Sequence, residues 1–547
     1  MKKKIKNNTF LFFVLFITLV GGFLRFYNLN WDLGFTFHPD ERNIANAVTR
    51  ISLFKQLNPG FFAYGGFTIY LYRAVGEILT FITKDSSWVA NWGKINLIGR
   101  FISALVSSLT IPLVYITGKK VFSKKVGIIA SVLIAFSPSL IQTAHFAVTE
   151  SFLTFFVILI FLSSLNLKQS SLKKYIKSGF LLGISIAAKT AALSFLVIPV
   201  TACILWTKKK TFWKRSLLFL ALLGTAILVF TIFSPYTLLD WGKFMESMKY
   251  ESGVATGRLP VPYTLQFTNT FPYLFQFKNL FWQFGPVVIF GILGIIWLIF
   301  TFSRRKEKKI AIFLIFPAVY FLYVGSWHTK FIRYMVPLLP FIGISAAYFL
   351  SKIQNFSFKL GGLLIFVIIF SNIVWGLAFF SIYLRPQTRI VASEWIYQNI
   401  PSGSKIYTEH WDDGLPVNLP KSNRGKYEIE ELTIYEPDNR QKIDYFSEKL
   451  SKGNYVILSS RRLWGTLINL EEKYPITSRY YKLLFSGKLG YQKVAEFSSY
   501  PKILGIQIND DSSEETFQVY DHPTVFIFKK TKLLSSEEIK SFLFKKL

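Results

Sequence analysis

The chain has 547 residues, of which 51% are hydrophobic and only 17% are charged, and its mean hydropathy is +0.36. A soluble protein of this length would form several domains with a larger charged fraction. Its 63 basic and 31 acidic residues give a net charge of +32, a surplus typical of nucleic-acid-binding proteins. The basic clusters, however, lie between apolar runs, as the positive-inside rule describes for membrane proteins. We therefore predict a polytopic α-helical membrane protein without a nucleic-acid partner.

Apolar runs near the ~20 residues that cross a bilayer recur along the first 385 residues. The lysine-rich start leads into the first run without a small-residue cleavage site, so we expect an uncleaved first span. About eleven crossings, starting from a cytoplasmic N-terminus in the plasma membrane, place the dense basic clusters in the cytoplasm. The predicted spans are Phe10–Leu24, Ile95–Thr117, Val126–Ala144, Ser151–Leu167, Ser178–Ala188, Thr190–Thr207, Ser216–Ser234, Phe281–Phe302, Ala311–Gly325, Phe331–Leu350 and Leu360–Tyr383.

Three loops of the predicted transmembrane domain, residues 1–384, fall on the outer side of the membrane. They are residues 28–93, 145–150 and 235–280. In the first of them, apolar residues at helical spacing beginning at Ile44 predict a helix lying in the interface. The apolar segment Thr68–Thr83, interrupted by Arg73 and Glu77, predicts a second interfacial or re-entrant helix.

The composition changes near Arg385 to that of a soluble α/β domain, which we predict over residues 385–547 on the outer side of the membrane. Ser393–Asn399 is typical of a short helix. Short β-branched and aromatic runs with polar connections predict strands at Lys405–Thr408, Tyr455–Ser459 and Thr524–Phe528. About 160 residues are enough for one hydrophobic core.

Nine ionisable residues are not explained by anchoring at the cytoplasmic side, and all nine fall on the predicted outer side. Such residues cost a few kcal/mol each at membrane depth, so their common location indicates a functional site. They are Asp40, Glu41, His145, Glu150, Lys189, Asp240, His328, Lys330 and Arg333.

The segment Phe37-His38-Pro39-Asp40-Glu41 has two readings. Pro39 suits the first position of a helix, and carboxylates in the next turn interact well with the helix dipole. Alternatively, Asp40 or Glu41 is a base or a metal ligand at the water interface. Glu150 can likewise be explained as a carboxylate at the start of a helix. For Lys189 and the His328–Arg333 segment, the alternative to a functional role is that their side chains snorkel to the membrane interface.

Carboxylates and cations on one outer face together suggest transfer of a group from an anionic lipid. An acceptor hydroxyl needs a base such as Asp40 or Glu41. A departing lipid phosphate needs its negative charge met by lysine, arginine or a divalent metal. Lys330 and Arg333 are suited to phosphate recognition. The arginine guanidinium can donate two parallel hydrogen bonds to a phosphate, and the lysine ammonium supplies a compact positive charge. One base suffices for a single displacement at a sugar carbon, which predicts inversion.

The order of these motifs resembles the GT-C superfamily of polyprenyl-phosphate-sugar-dependent glycosyltransferases, which includes protein O-mannosyltransferases and the lipid A aminoarabinose transferase. The resemblance covers roughly residues 1–385. It rests on Phe37-His38-Pro39-Asp40-Glu41, on Ser137-Pro138 through His145 to Glu150, on Lys189 after a short glycine-containing span, and on Lys330-x-x-Arg333-Tyr334-x-x-Pro337-x-x-Pro340.

The resemblance implies that the first-loop acidic residues Asp40 and Glu41 are catalytic or associated with a metal, and that Glu150, with His145, is the second acidic site. Members of the superfamily differ in their need for a metal, so Mg²⁺ or Mn²⁺ held by Asp40 and Glu150 stays an open alternative. We expect Lys189, Lys330, Arg333 and Tyr334 to bind the donor phosphate, with His38, Asp240 and His328 supporting them.

The leading hypothesis is an inverting membrane glycosyltransferase that uses a polyprenyl-phosphate sugar donor at the outer face. The tail segment Glu409–Pro416 is similar to the outer domain of bacterial and archaeal relatives, and no β-trefoil repeat is visible, so the acceptor stays open between protein, lipid and glycan. The alternative is a transporter or flippase of an anionic lipid. It predicts pseudo-symmetric halves, which the sequence does not show. Aromatic residues of the outer loops, such as Tyr64, have two alternative roles. They line a groove for sugar or lipid, or they belong to the aromatic belt at the membrane interface.

Overall fold

The computed structural model describes residues 2–53, 55–420 and 422–544, and the chain separates into two compact units. The first comprises Met1–Leu259 and Thr270–Phe380, and the second Pro260–Asn269 and Ser381–Leu547. Residues 260–269 belong to the predicted outer loop 235–280 but pack with the second unit. Each unit is described by itself.

All the regular secondary structure that is described for the first unit is helical. They are α1 (Lys2–Phe26), α2 (Pro39–Arg50), α3 (Gly66–Thr83), α4 (Ser87–Ala90), α5 (Trp92–Val121), α6 (Lys124–Ala135), α7 (Pro138–Ala144), α8 (Glu150–Ser164), α9 (Leu172–Ala188), α10 (Val197–Trp206), α11 (Phe212–Phe233), α12 (Tyr236–Leu239), α13 (Trp241–Thr256), α14 (Leu274–Phe284), α15 (Val287–Arg305), α16 (Lys308–Gly325), α17 (Leu339–Phe356) and α18 (Phe358–Phe380). Two 3-10 helices matter below, Thr190–Leu196 before α10 and Ile332–Leu338 before α17.

The predicted count of eleven spans is not confirmed. Among the described residues, seven helical segments are long and apolar enough to cross a membrane, or eight if the bent pair α6 and α7 is one span. The pair bends by 58° where Pro138 begins α7, because proline cannot continue the preceding helix. The apolar segments Phe10–Phe26 and Thr190–Trp206 are shorter than each of these seven segments. The helix break predicted at Lys189 is present.

Arg25 joins the end of α1 to this bend. Its side chain is fully buried, and its two terminal nitrogens donate to the carbonyl oxygens of Ala135 and Ile134, both at 2.9 Å. Its Nε donates to Ser107 in α5 at 2.8 Å. The last carbonyls of a helix have no partner within it, so a buried arginine is an effective cap for them.

The elements of the second unit are α19 (Thr388–Asn399), β1 (Lys405–Glu409), β2 (Glu428–Leu432), α20 (Arg440–Lys452), β3 (Tyr455–Leu458), α21 (Trp464–Leu467), α22 (Pro475–Phe485), β4 (Tyr491–Phe497), the hairpin β5 (Lys502–Ile503) and β6 (Ile506–Gln507), β7 (Val525–Lys530) and α23 (Ser536–Phe544). Five of the strands form a mixed sheet in the order β2-β1-β3-β7-β4, in which β1 is parallel to β2 and β3, and β7 is antiparallel to β3 and β4.

Both faces of this sheet are buried. Along β3, Tyr455 and Ile457 belong to a core that α19 covers with Ile396, whereas Val456 and Leu458 belong to a second core on the other face. This alternation follows from the two-residue period of a strand. The predicted helix and three strands are present with shifted ends. The outer strands β2 and β4 were missed because their mostly polar, partly exposed residues lack an apolar run.

A buried imidazole links two acidic side chains within the second unit. His522 is 1% exposed, and its ring nitrogens lie 2.7 Å from Asp510 and 2.5 Å from Asp521. Burial alone disfavours the charged ring, but the charges of Asp521 and Asp510 outweigh it and raise the pKa of His522 to about 10.

Candidate active site

Asp40 lies at the start of α2 and forms an ion pair with Arg333. Pro39 occupies the first turn, and the His38 ring nitrogen caps the helix by accepting from the Asp40 backbone N–H at 3.2 Å. The Arg333 guanidinium lies 2.9 Å from the Asp40 carboxylate. Burial raises the pKa of Asp40, but the charge of Arg333 and the smaller effects of other neighbours outweigh it and bring that pKa below its usual value. The helix-start reading and the functional reading are therefore compatible.

Glu41 is in a different environment, although it adjoins Asp40. It is fully buried and accepts from Arg100 of α5 at 2.8 and 2.6 Å, and from the backbone N–H of Ala147 at 2.6 Å. Arg100 also donates to both carboxylate oxygens of Asp32, at 2.8 and 2.7 Å. Glu41 thus joins α2 to α5 and to the segment before α8, which suits a residue that positions Asp40.

Glu150 and Lys189 form the second carboxylate–cation pair, 3.0 Å apart. Glu150 is the first residue of α8 and is 2% exposed, and Lys189 occupies the break between α9 and the following 3-10 helix. One carboxylate oxygen of Glu150 is buried without a hydrogen-bond partner among the described residues. The break allows a lysine from the middle of an apolar region to reach this carboxylate.

Tyr64 joins the two pairs, a role that the sequence alone does not distinguish from that of an interfacial aromatic residue. Its hydroxyl hydrogen-bonds to Asp40, and the Lys189 ammonium lies 5.0 Å from the centre of its ring. The ring of Tyr334 lies 5.8 Å from the same ammonium. Burial, together with the charge of Asp40, raises the pKa of Tyr64 well above its usual value, so the phenol stays protonated and donates.

Gly65 explains how Tyr64 reaches this position. Its backbone N–H donates to the carbonyl of Ala188 at 3.0 Å, and a Cβ atom on Gly65 would overlap the carbonyl oxygen of Ala187. Gly66 then donates to the Ser234 hydroxyl at 2.6 Å. The Gly-Gly pair after Tyr64 was the signal in the sequence, because only glycine allows backbones to approach so closely.

The remaining predicted residues have other contacts. The His145 ring nitrogens lie 2.8 and 2.9 Å from the carbonyl oxygens of Ile141 and Tyr27, so His145 joins the end of α7 to the segment after α1. His38 caps α2 as described, and its ring packs against Phe146 at 4.7 Å.

Lys330, His328 and Asp240 have contacts with other partners. Lys330 donates to the carbonyl of His328 at 2.8 Å, and burial lowers its pKa. Asp240 accepts from Asn58 at 3.0 Å, which joins the start of α13 to the first loop. Glu251 of α13 interacts electrostatically with Lys189, Asp40 and Arg333, and nothing in the sequence distinguished it from the neighbouring exposed residues.

Asp40 and Glu150 are the residues that would hold the divalent metal that the sequence leaves open. Among the described residues, no three acidic, histidine or cysteine side chains gather in a way that could hold an ion. Asp40 and Glu150 are each paired with a cation, Arg333 and Lys189 respectively. Mg²⁺ is usually held by carboxylates together with water and substrate phosphates. The described residues do not form a metal site of their own in this arrangement.

The comparisons with known proteins agree with this architecture. Residues 89–238 match the family model described as dolichyl-phosphate-mannose-protein mannosyltransferase. No curated protein matches the chain.

Several solved structures are similar to this chain. The archaeal oligosaccharyltransferase AglB from Archaeoglobus fulgidus, in complex with an inhibitory peptide and a dolichol-phosphate, has a TM-score of 0.54 at 14% identity, over 92% of this chain and 75% of that chain. An Archaeoglobus fulgidus oligosaccharyltransferase in complex with Zn and sulfate has a TM-score of 0.51 at 15% identity, over 86% of this chain and 71% of that chain. ArnT from Cupriavidus metallidurans bound to undecaprenyl phosphate has a TM-score of 0.49 at 13% identity, over 94% and 97%.

The predicted fold class is confirmed: the chain shares the mostly helical fold of AglB and has a C-terminal unit that contains a sheet. AglB is an oligosaccharyltransferase, and one of the similar structures contains Zn and sulfate. The apolar helices indicate an integral membrane protein.

Proposed function

We propose that the chain is an inverting glycosyltransferase that moves a sugar from a polyprenyl-phosphate donor to an acceptor hydroxyl. The observation that carries this proposal is the meeting of two carboxylate–cation pairs, Asp40 with Arg333 and Glu150 with Lys189. The site therefore contains a base for the acceptor and two cations for the phosphate. The fold is consistent with this assignment, since the similar structure of AglB contains a dolichol-phosphate.

The proposed reaction is a single displacement at the anomeric carbon. The acceptor oxygen forms the new bond to this carbon as the bond to the lipid phosphate oxygen breaks, and the phosphate retains the electron pair of that bond. Asp40 takes the proton of the acceptor hydroxyl. Arg333 and Lys189 stabilise the charge that grows on the phosphate, where charge-assisted hydrogen bonds are strongest. One displacement inverts the anomeric configuration.

The two ion pairs suggest how the resting site avoids unpaired buried charge. Arg333 neutralises Asp40, and Lys189 neutralises Glu150, when no phosphate is bound. An arriving donor phosphate competes with the carboxylates for both cations. As Arg333 contacts the phosphate, Asp40 loses its partner and becomes a stronger base for the acceptor proton. Donor binding would thus activate the base.

Two tyrosines position Lys189 for this exchange. The rings of Tyr64 and Tyr334 lie 5.0 and 5.8 Å from its ammonium, and such contacts favour a cation near the ring face. Because Tyr64 also hydrogen-bonds to Asp40, the base and the phosphate-binding cation share one support.

We propose the topology that the positive-inside rule favours. The N-terminus and the basic clusters lie in the cytoplasm, and the candidate site and the C-terminal unit lie outside the cell membrane. The donor sugar is then transferred at the outer face, to an acceptor that is a protein, lipid or glycan. Protease treatment of intact cells tests this orientation, since digestion of the C-terminal unit is expected only if it lies outside.

The function is tested with purified protein, labelled polyprenyl-phosphate sugars and membrane extracts as acceptor. We expect Asp40→Asn to reduce transfer by about 10²- to 10⁴-fold, the usual range for loss of a general base. Asp85→Asn is the matched control, because Asp85 is a half-exposed carboxylate of the same loop that pairs with Lys94. Equal transfer by wild type and Asp40→Asn would disprove the role of Asp40. Movement of labelled lipid across vesicles without a covalent product would instead support the transporter alternative.

A further inference from the structure

A pocket of about 500 Å³ lies where α10 ends and α11 begins, apart from the candidate active site. The segment Thr190–Trp206 begins next to Lys189 and ends at this pocket. At about 2.0 Å per residue in its 3-10 part and 1.5 Å in α10, it spans about 25–30 Å, close to the thickness of a bilayer core. Residues that line the pocket include Cys203, Ile204, Lys208, Lys209, Phe212 and Arg215.

One wall of the pocket is apolar and exposed. Ile204, Phe212 and Leu220 are 69%, 52% and 61% exposed, and all three line the pocket. They belong to helical segments whose hydropathy is typical of membrane helices. Exposed apolar side chains on such segments contact lipid tails, so this wall is expected to face acyl chains.

The other wall carries positive charge without acidic partners. Lys208 and Lys209 line the pocket, and residues 151–239 contain neither aspartate nor glutamate. Within the part of the chain that the structure describes, Lys208, Lys209 and Arg215 form no ion pair with a carboxylate. The charge of this wall is therefore uncompensated by the protein around it.

Arg215 supplies a buried donor to the same pocket. It is 6% exposed, and its two terminal nitrogens donate to the carbonyl oxygens of Leu167 and Lys168 at 3.0 and 2.8 Å. These contacts fix the guanidinium plane. Its Nε is buried without a hydrogen-bond partner among the described residues. A buried N–H without an acceptor is unfavourable, which points to a ligand that supplies one.

We infer that this pocket binds an anionic glycerophospholipid. Its phosphate would accept from Lys208, Lys209 and the Arg215 Nε, while an acyl chain lies along Ile204 and Leu220. Basic pockets between membrane helices are known to bind anionic headgroups, and arginine with lysine is suited to a phosphate. The inference rests on this pocket and does not depend on the proposed transfer reaction.

The first test measures lipid retention by the purified full-length protein with native mass spectrometry. Phosphatidylglycerol and phosphatidylcholine are the probes, because they differ in net charge. We expect the double variant Lys208→Gln/Lys209→Gln to bind phosphatidylglycerol about tenfold more weakly than wild type. The matched control Lys210→Gln/Lys214→Gln loses the same charge from the same segment outside the pocket lining, and its binding is expected to stay within about twofold. Equal losses in both variants would overturn the inference.

The second test uses the wild-type chain, so it does not depend on how the variants fold. Cys203 is the only cysteine of the sequence and lines the pocket. We expect phosphatidylglycerol to slow the reaction of Cys203 with a small thiol reagent by at least about fivefold relative to phosphatidylcholine. Equal protection by both lipids, or equal protection by inorganic phosphate alone, would overturn the inference. Stronger protection by polyprenyl phosphate than by phosphatidylglycerol would also overturn it.

Discussion

Arg333 and Asp40 lie 2.9 Å apart, so the proposed base is held by a cation that is also suited to the donor phosphate. Arg333 belongs to the 3-10 helix before α17, and Asp40 to the first turn of α2. The helices fix this relationship by their packing, since the two residues come from opposite ends of the first unit's sequence. A site built in this way responds to its ligand, because phosphate and carboxylate compete for one guanidinium.

Arg333→Gln is expected to weaken donor binding and to raise the pKa of Asp40. Loss of a charged hydrogen bond should lower kcat/KM for the lipid-phosphate donor by about 10- to 100-fold. Without the guanidinium, the pKa of Asp40 rises, so the acid limb of the pH–rate profile moves to higher pH. Steady-state kinetics from pH 4 to 8 measures both effects. Arg50→Gln in the last turn of α2 is the control, and an unchanged acid limb in Arg333→Gln would contradict the pairing.

Asp40, Glu150, Lys189 and Arg333 can be predicted as site residues from the sequence, because charges in apolar surroundings are costly and thus conspicuous. It missed Arg100, whose charge lies inside a predicted span and whose acidic partners come from the first loop. The spacing of residues along one helix does not show which charged side chains of distant segments form ion pairs with it.

The role of Tyr64 stayed undecided for a related reason. An aromatic residue near a membrane surface usually belongs to the interfacial belt, and only tertiary structure places its hydroxyl beside a carboxylate. The count of spans failed at helix breaks and short helices, such as the bend before Pro138, where apolarity continues but the helix axis does not. The apolar composition of a segment indicates that it lies in apolar surroundings, but it does not show where the helix axis bends.

Glu41→Gln is expected to destabilise the fold. Glu41 accepts three hydrogen bonds, and its loss leaves Arg100 with Asp32 as its remaining acidic partner. Breaking a buried ion pair costs about 3–5 kcal/mol, so the thermal midpoint in detergent should fall by several degrees. The fraction that remains folded should keep the wild-type pH–rate profile, because Glu41 acts by position. Glu77→Gln, in a partly exposed pair with Arg73, is the control and should change stability by less than about 1 kcal/mol.

Gly65→Ala is expected to reduce the rate of sugar transfer. The added methyl group would overlap the carbonyl oxygen of Ala187, so the segment that carries Tyr64 must move away from Lys189. A displacement of about 1 Å at a catalytic site can cost about 100-fold in rate. Gly242→Ala is the control, because nothing lies within 4 Å of its added Cβ. Full activity of Gly65→Ala would show that the close contact does not position the site.

Removal of divalent metals is expected to leave transfer intact. Asp40 and Glu150 are each paired with a cation, and no group of three ligands occurs among the described residues. We expect transfer rates with excess EDTA to stay within about twofold of those with Mg²⁺ or Mn²⁺, since Arg333 and Lys189 supply the positive charge. Loss of activity in EDTA, restored by Mn²⁺, would instead favour a metal held by Asp40 and Glu150 with the donor phosphate.

The stability of the second unit is expected to fall as the pH rises. The charges of Asp521 and Asp510 outweigh burial and raise the pKa of His522 to about 10, above the usual histidine value of about 6.5. The folded unit therefore keeps a proton that the unfolded chain has already lost. The stabilisation is complete below pH 6.5 and disappears as the pH rises toward 10.

Between pH 8 and 9.5 the expected loss is about 1.4 kcal/mol per pH unit, or about 2 kcal/mol in total. Pulse proteolysis in urea, followed through a C-terminal tag, measures the stability of this unit in the full-length protein. His410→Gln is the control, because His410 is half-exposed in its pair with Glu431 and its loss should leave the slope unchanged. Asp521→Asn should flatten the slope, since the remaining charge of Asp510 holds the proton on His522 less strongly. A stability that is constant or rises over this range would show that His522 is not protonated between the two aspartates.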